Sequence, residues 1–290
     1  MSLEFSECFT SFTTPKYNKT TMLYYFLIVL ISLVIALFSN NLFVNIALFI
    51  ILSLLFQGIY AIASHNEAFQ KDVLPPVSDF GKIMDVGVKY ATGLAVISFI
   101  IYLPIILIAV YFLSVMLNSE GSGTALASDL ILYLIFFIPF FMILGIVFWY
   151  KYGIPAVLLF FRNLSLSDML SFSKISHYGK VIRRDYWWYV LFFIILSLII
   201  NVVMQCILQL LFVVVLSVNT DFSQLMQQIQ QSAETTPFSF DSIWPLISLG
   251  FLFSSVLPLV LSLLVMPNLN GQIIGKTIKR QIKMPNEYSL

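Results

Sequence analysis

Four neutral polar residues, Ser197, Asn201, Gln205 and Gln209, recur at every fourth position inside an otherwise apolar run. On a helix of 3.6 residues per turn they form one slowly rotating stripe. Amides and hydroxyls so arranged can hydrogen-bond to neighbouring helices, or they can line a polar path between helices. Ser248, Ser255 and Ser262 repeat every seventh residue beside Gly250 and Ser254, a small-residue packing seam suited to close left-handed helix contact. Pro245 and Pro258 fall in the same run, where they loosen the helical hydrogen-bond ladder. A third group, Lys180, Arg183 and Arg184 beside Trp187 and Trp188, makes a basic and aromatic collar. Such a collar suits a topology anchor or a site for anionic lipid headgroups.

Reactive groups are sparse. His65 and His177 stand apart in polar connections and read as solvated or interfacial side chains. Cys8 and Cys206 have neither metal-ligand spacing nor a common compartment, so no disulfide is expected. No HExxH, GxSxG, Asp pair or glycine-rich phosphate loop is present. Ion-coupled transporters keep an ionisable residue inside the bundle, and the apolar runs hold none. The residues therefore predict no catalytic, cofactor-binding or metal-ligating position and no nucleic-acid partner.

The elements that carry these spacings are set by hydropathy. Charged residues make up 10% of the 290 positions, against about 25% in soluble domains, and the mean hydropathy is +0.96. Six runs are long enough to cross a hydrocarbon core of roughly 30 Å: about Met22 to Phe38, Leu42 to Ser64, Tyr90 to Leu117, Leu130 to Tyr150, Trp187 to Ser217 and Ile243 to Met266. The expected fold is an all-α polytopic membrane protein of six transmembrane helices. The first run follows about 20 polar residues without a small-residue cleavage site and is expected to be retained. The fifth has no Gly, Pro or charged turn, which favours one tilted or protruding helix over two spans.

Connections 1–21, 65–89, 151–186 and 267–290 hold two, three, six and four Lys or Arg, which are all 15 in the chain. Connections 39–41, 118–129 and 218–242 hold none. By the positive-inside rule both termini are expected in the cytoplasm and the chain in the plasma (inner) membrane.

Residues 74–90 read LPPVSDFGKIMDVGVKY. Neither Pro can sit in a helix interior, so the chain turns there. Ser78 or Asp79 then predicts an N-cap, with Phe80, Ile83, Met84, Gly87 and Tyr90 at helical spacing and Lys82, Asp85 and Lys89 on another face. This pattern predicts an amphipathic helix on the cytoplasmic membrane surface, feeding the third span. Ser6-Glu7-Cys8-Phe9 precedes the first span and Ser167-Asp168-Met169-Leu170 the fifth, while Gly58, Gly153 and Gly271 mark the ends of the returning spans. One membrane domain, 1–290, is expected to contain three units, 1–64, 66–153 and 163–271, each an interfacial helix followed by a transmembrane hairpin.

The run LPPVSDFGKIMDVGVKYATGLAVISFIIYLP resembles the loop of the prokaryotic domain of unknown function 4013 family, polytopic membrane proteins with a Leu-Pro, a following Asp, a Gly before the span and a Pro inside it. Here those are Leu74, Pro75, Asp79, Gly87 and Pro104. FRNLSLSDMLSFSKI is similar to that family's second interfacial segment. The Trp that often follows the Leu-Pro is replaced by Pro76 and Val77. The resemblance implies architecture and brings no activity.

Two shorter features complete the pattern. Ile154 to Phe161 is too short to span, is bracketed by Lys151 and Arg162, and is expected in the interface or as a re-entrant piece, with Pro155 in its first turn. Phe222, Leu225, Met226 and Ile229 predict a short amphipathic helix outside. The function expected from all this is a non-enzymatic membrane component acting through helix packing with itself, lipid or a membrane partner. The alternative is a facilitator or transporter of a small neutral or amphiphilic solute.

Overall fold

The computed structural model describes residues 17–38, 42–118, 140, 143–218, 263 and 265–281. Of the described residues 92% are helical and none lies in a strand, so the chain is all-α. In order, the helices are α1 (Lys19–Phe38), α2 (Leu42–Ala68), α3 (Phe80–Asn118), α4 (Ile154–Asn163), α5 (Leu166–Leu170) and α6 (Phe172–Val218), then α7 at 265–281. A π-turn, Trp149–Gly153, joins helical residues 143–148 to α4. Among the described residues three stretches are long and apolar enough to cross a membrane: Phe43–Ala68, Val77–Pro104 and Ile143–Asn163. Most of the expected fourth run, nearly all of the sixth and the outer helix around Phe222 to Ile229 lie outside the described residues.

The segment after Leu-Pro-Pro departs from its expected form. It is no separate helix: a 3-10 turn, Val77–Asp79, runs straight into α3, whose 39 residues continue through the third apolar run. The amphipathic turns and the span share one helical period, and nothing after Pro76 breaks it before Pro104. At 1.5 Å per residue α3 is about 58 Å long, well beyond the hydrocarbon thickness. The N-cap also differs. Pro76 precedes the turn in extended geometry with no side-chain cap, the Asp79 amide donates to the Pro76 carbonyl at 3.0 Å, and the Ser78 hydroxyl donates to Asp79 Oδ1 at 3.4 Å. The tight backbone bond of a 3-10 turn satisfies a donor that a cap would otherwise serve. Ahead of α6, Ser165 rather than Ser167 or Asp168 caps α5, its hydroxyl accepting the Asp168 amide.

The chain divides into two compact units. Unit 1 comprises Met1–Val88 and Asp185–Gly275, and unit 2 comprises Lys89–Arg184 and Lys276–Leu290.

In unit 1, α2 and the start of α3 touch backbone to backbone. A Cβ placed on Gly58 would run into the Ile83 carbonyl, and one on Gly87 into the Leu54 carbonyl. The two glycines remove the side chains that would hold the helices apart. Around this contact Leu55, Phe56, Ile59, Ile62 and Ile83 are buried. The α2 end is closed by Gln70 at φ 55°, with Lys71 N–H bonded to the Asn66 carbonyl and Gln70 N–H to that of Glu67. This is a Schellman closure made without glycine. Beyond it Val73, Leu74 and Pro75 are buried, and the Tyr25 hydroxyl donates to the Pro75 carbonyl at 2.8 Å.

In unit 2 the octet expected in the interface or as a re-entrant piece is part of the core. Ala156, Leu158, Leu159, Phe160 and Phe161 are fully buried, and Tyr90 meets the Phe160 and Phe161 rings at 5.4 and 5.3 Å. With the π-turn ahead of it and Pro155 in its first turn, seven of the eight residues 154–161 are buried and Val157 is half-buried. Gly179 lies against Pro155, and Met169 fills the space over Gly93. Leu164 closes α4 at φ 51°, its N–H bonded to the Phe160 carbonyl. Tyr178 is fully buried with the Arg162 guanidinium over its ring; burial pushes its hydroxyl up to about 12, with Thr277 and Arg162 pulling the other way.

Candidate functional site

Two features stand out, one in each unit. In unit 1 the side chain of Asn270, on α7, is fully buried. Its Nδ2 donates to the Tyr60 and Ser64 hydroxyls of α2, both at 3.0 Å, and its Oδ1 accepts from the Tyr189 hydroxyl of α6 at 2.7 Å. Both amide hydrogens and the carbonyl are used. Next to it Asn268 Nδ2 donates to Glu67 Oε1 and Gln272 Nε2 donates to Asn268 Oδ1, each at 2.9 Å. Gly271 permits this, since a Cβ there would strike the Glu67 side chain 2.6 Å away. One amide thus ties three helices together.

In unit 2 an apolar groove of about 310 Å³ lies between α3, residues 144–152 and the α5 to α6 junction. Ligand pockets run from roughly 300 to 1,000 Å³, so it is large enough to hold one. Ile97, Ile100 and Pro104 form one wall, Phe148 and Tyr152 a second, and Met169, Phe172 and Ile175 a third. Pro104 has no N–H, so the Ile100 carbonyl in this wall lacks its helical donor. Among the lining side chains the Tyr152 ring stands 4.9 Å from that of Phe172 and 6.0 Å from that of Phe148. The Lys151 ammonium sits 5.2 Å from the Tyr152 ring centre. Asp168, just before Met169, accepts from Lys174 Nζ and, at 2.6 Å, from Asn163 Nδ2. The Lys174 ammonium, the larger effect, and the Asn163 amide hold its carboxyl below the usual carboxylate range.

The residues singled out from sequence fare differently. Ser197, Asn201, Gln205 and Gln209 all belong to α6, as the spacing requires, but their side chains lie outside the described residues. The seam Ser248, Ser255 and Ser262 lies outside them altogether. In the collar, Lys180 is exposed in unit 2, Trp187 and Trp188 are exposed in unit 1, and the side chains of Arg183 and Arg184 lie outside the described residues. His65 packs against Phe69 at 4.7 Å. His177 is half-buried. Among the described residues no three His, Cys, Asp or Glu side chains gather as a metal site would need.

The comparisons with known proteins bear on the whole arrangement. A family of proteins of unknown function, DUF4013, matches residues 41–213, more than half of the chain. The chain belongs to the DUF4013 family. The matched stretch contains Gly58, Gly87, Pro104, Tyr60, Ser64 and Tyr189, and every residue named for the groove. It stops short of Asn270. No curated protein and no solved structure matches.

Sequence reading missed both features. MPNLNGQ, at 266–272, looks like a turn because Asn-Gly marks one. Gly271 serves close approach instead, and a usable signal was present in the apolar Leu269, Ile273 and Ile274 at helical spacing. The groove brings together three segments distant in sequence and has no local signal.

Proposed function

We propose that the chain is a multi-pass, non-enzymatic component of the prokaryotic plasma membrane, with both termini cytoplasmic, acting through helix packing with itself, lipid or a membrane partner. The observation that carries this reading is the buried Asn270 amide, whose two hydrogens go to Tyr60 and Ser64 and whose oxygen accepts from Tyr189. Polarity so placed serves helix association, where lipid offers no hydrophobic drive between helices. The exposed apolar side chains of α1 and α2, such as Phe26 and Phe43, suit a lipid-facing surface. In the finer form of the proposal six spans make three hairpins, in units 1–64, 66–153 and 163–271, with cytoplasmic interfacial segments ahead of each.

Orientation is tested by single cysteines. Those introduced at Gly123 and Ser232 should react with an impermeant thiol reagent from outside intact cells, and one at Ser173 should not. Labelling at Ser173 sinks the orientation. Function is tested by reconstitution: under the packing reading, liposomes bearing the protein take up neutral solutes no faster than bare liposomes. Uptake that Gln205→Leu abolishes while leaving the melting temperature unchanged would replace it with the solute-path reading. The apolar groove favours an amphiphile as that reading's solute.

A further inference from the structure

We propose that the unit 2 groove binds one anionic phospholipid, with an acyl chain along Ile97, Ile100, Pro104 and Phe148 and the phosphodiester at Lys151. This rests on the membrane reading and goes beyond it in naming a ligand, a site and a charge preference. The site differs from the basic and aromatic collar expected around Lys180.

Shape and exposure come first. The walls are apolar and the volume is about 310 Å³. Ile100 and Phe172 are each 63% exposed, so the groove is open along its side. The wall of Ile97, Ile100 and Pro104 belongs to a stretch apolar and long enough to cross a membrane, Val77–Pro104, and Phe148 belongs to the apolar run that ends at Tyr150, just before Lys151. An open apolar channel carried on such helices accepts a chain from the side.

Charge then selects the headgroup. Lys151 is exposed, lies over the ring of Tyr152, which lines the groove, and makes no ion pair among the described residues. Lys174, between the groove residues Phe172 and Ile175, is tied to Asp168 and so contributes less. Unit 2 as a whole carries eleven Lys or Arg against four Asp or Glu, whereas unit 1 carries four against ten. A lysine beside an apolar channel, in a strongly basic unit, complements a phosphodiester that has no cation of its own. A choline headgroup would bring a like charge toward Lys151.

The test uses the full chain, purified in mild detergent, delipidated, and mixed with equal amounts of phosphatidylglycerol and phosphatidylcholine of matched chains. Native mass spectrometry then counts retained lipid. One phosphatidylglycerol should be retained in preference by about fivefold or more. Lys151→Gln should reduce that preference to near parity, and Ile100→Trp, at an exposed position that fills the groove, should lower retention of both lipids. Lys180→Gln should change neither. Equal retention of the two lipids by the unaltered chain overturns the proposal. So does unchanged retention in Ile100→Trp, an effect of Lys180→Gln as large as that of Lys151→Gln, or a protein dimer that displaces lipid from the groove. Recovery of the expressed chain in the soluble fraction would strike the membrane reading itself; recovery in membranes without lipid preference strikes only the groove.

Discussion

Unit 1 and unit 2 solve the same helix-packing problem with different chemistry. Unit 1 brings backbones together at Gly58 and Gly87 and locks α2, α6 and α7 through one buried amide. Unit 2 has an oily centre, Leu158 to Phe161 with Tyr90 laid against it. Close approach and hydrogen bonds are directional and fix which helix faces which, and large apolar side chains fill space without that selectivity. Unit 1 is thus specified by a few positions, and unit 2 by volume. The charge difference runs alongside, acidic in unit 1 and basic in unit 2.

Phe160→Ala is the largest expected effect and tests the volume side. Removing a fully buried ring should cost about 3–5 kcal/mol, with the higher end if the octet cannot collapse. Thermal melting in detergent reads it. A loss below that of Asn270→Leu would invert the comparison, because the polar network would then outweigh the apolar core.

Gly87→Ala and Asn270→Leu test the directional side. The added methyl meets the Leu54 carbonyl, part of a backbone with little room to shift, and should cost about 1–3 kcal/mol. Asn270→Leu leaves the Tyr60, Ser64 and Tyr189 hydroxyls without their amide, and a buried orphan costs about 1–3 kcal/mol where nothing replaces its partner. Contacts of this kind between membrane helices average nearer 0.6 kcal/mol, so the value expected here is about 1–2 kcal/mol. Conformational spread, read as extra bands in disulfide crosslinking between α2 and α7, should rise in Asn270→Leu and stay flat in Phe160→Ala.

These positions differ in how legible they were. Helical class and the long apolar runs follow from hydropathy alone, and Leu-Pro-Pro announced its turn because proline chemistry is local. Gly58 and Gly87 were visible as separate punctuation, at a span end and in the family motif, but a single helix does not say which partner its glycine touches. Asn268 and Asn270 were hidden because Asn-Gly has a strong turn reading that tertiary contact overrides. The depth of burial of the octet was hidden for a related reason: charge at both ends describes its flanks, and the π-turn ahead of it has no composition signal.

Asp168 offers a smaller, pH-dependent handle on unit 2. Lys174 and Asn163 hold its carboxyl below the usual range, so the native state favours the charged form more than the unfolded chain does. The resulting stability is fully present above the ordinary carboxylate value and fades as pH falls through the lowered native value. The protection factors for hydrogen exchange at residues 163–175, with the intrinsic pH dependence of exchange divided out, should therefore fall on acidification, and Asp168→Asn should show the lower protection already at neutral pH with little further change in acid. Equal acid sensitivity in both proteins would assign the effect elsewhere.

The smallest effect compares two helix ends. Gln70 in unit 1 and Leu164 in unit 2 both close a helix in the left-handed region, at φ 55° and 51°, where an L side chain costs about 1–2 kcal/mol. Glycine removes that cost but loses roughly 0.5–1 kcal/mol more backbone entropy on folding. Gln70 is exposed, so nothing else is lost, and Gln70→Gly should stabilise by about 0.5 kcal/mol, the balance of the two. Leu164 is half-buried, and cutting it to glycine also discards apolar burial that is worth up to about 1.5 kcal/mol for a side chain covered to that degree. Leu164→Gly should therefore be neutral or destabilising. Paired melts of the two variants read the sign: if both rise, unit 2 does not depend on its apolar surface at this end, and the contrast between the units stops at their cores.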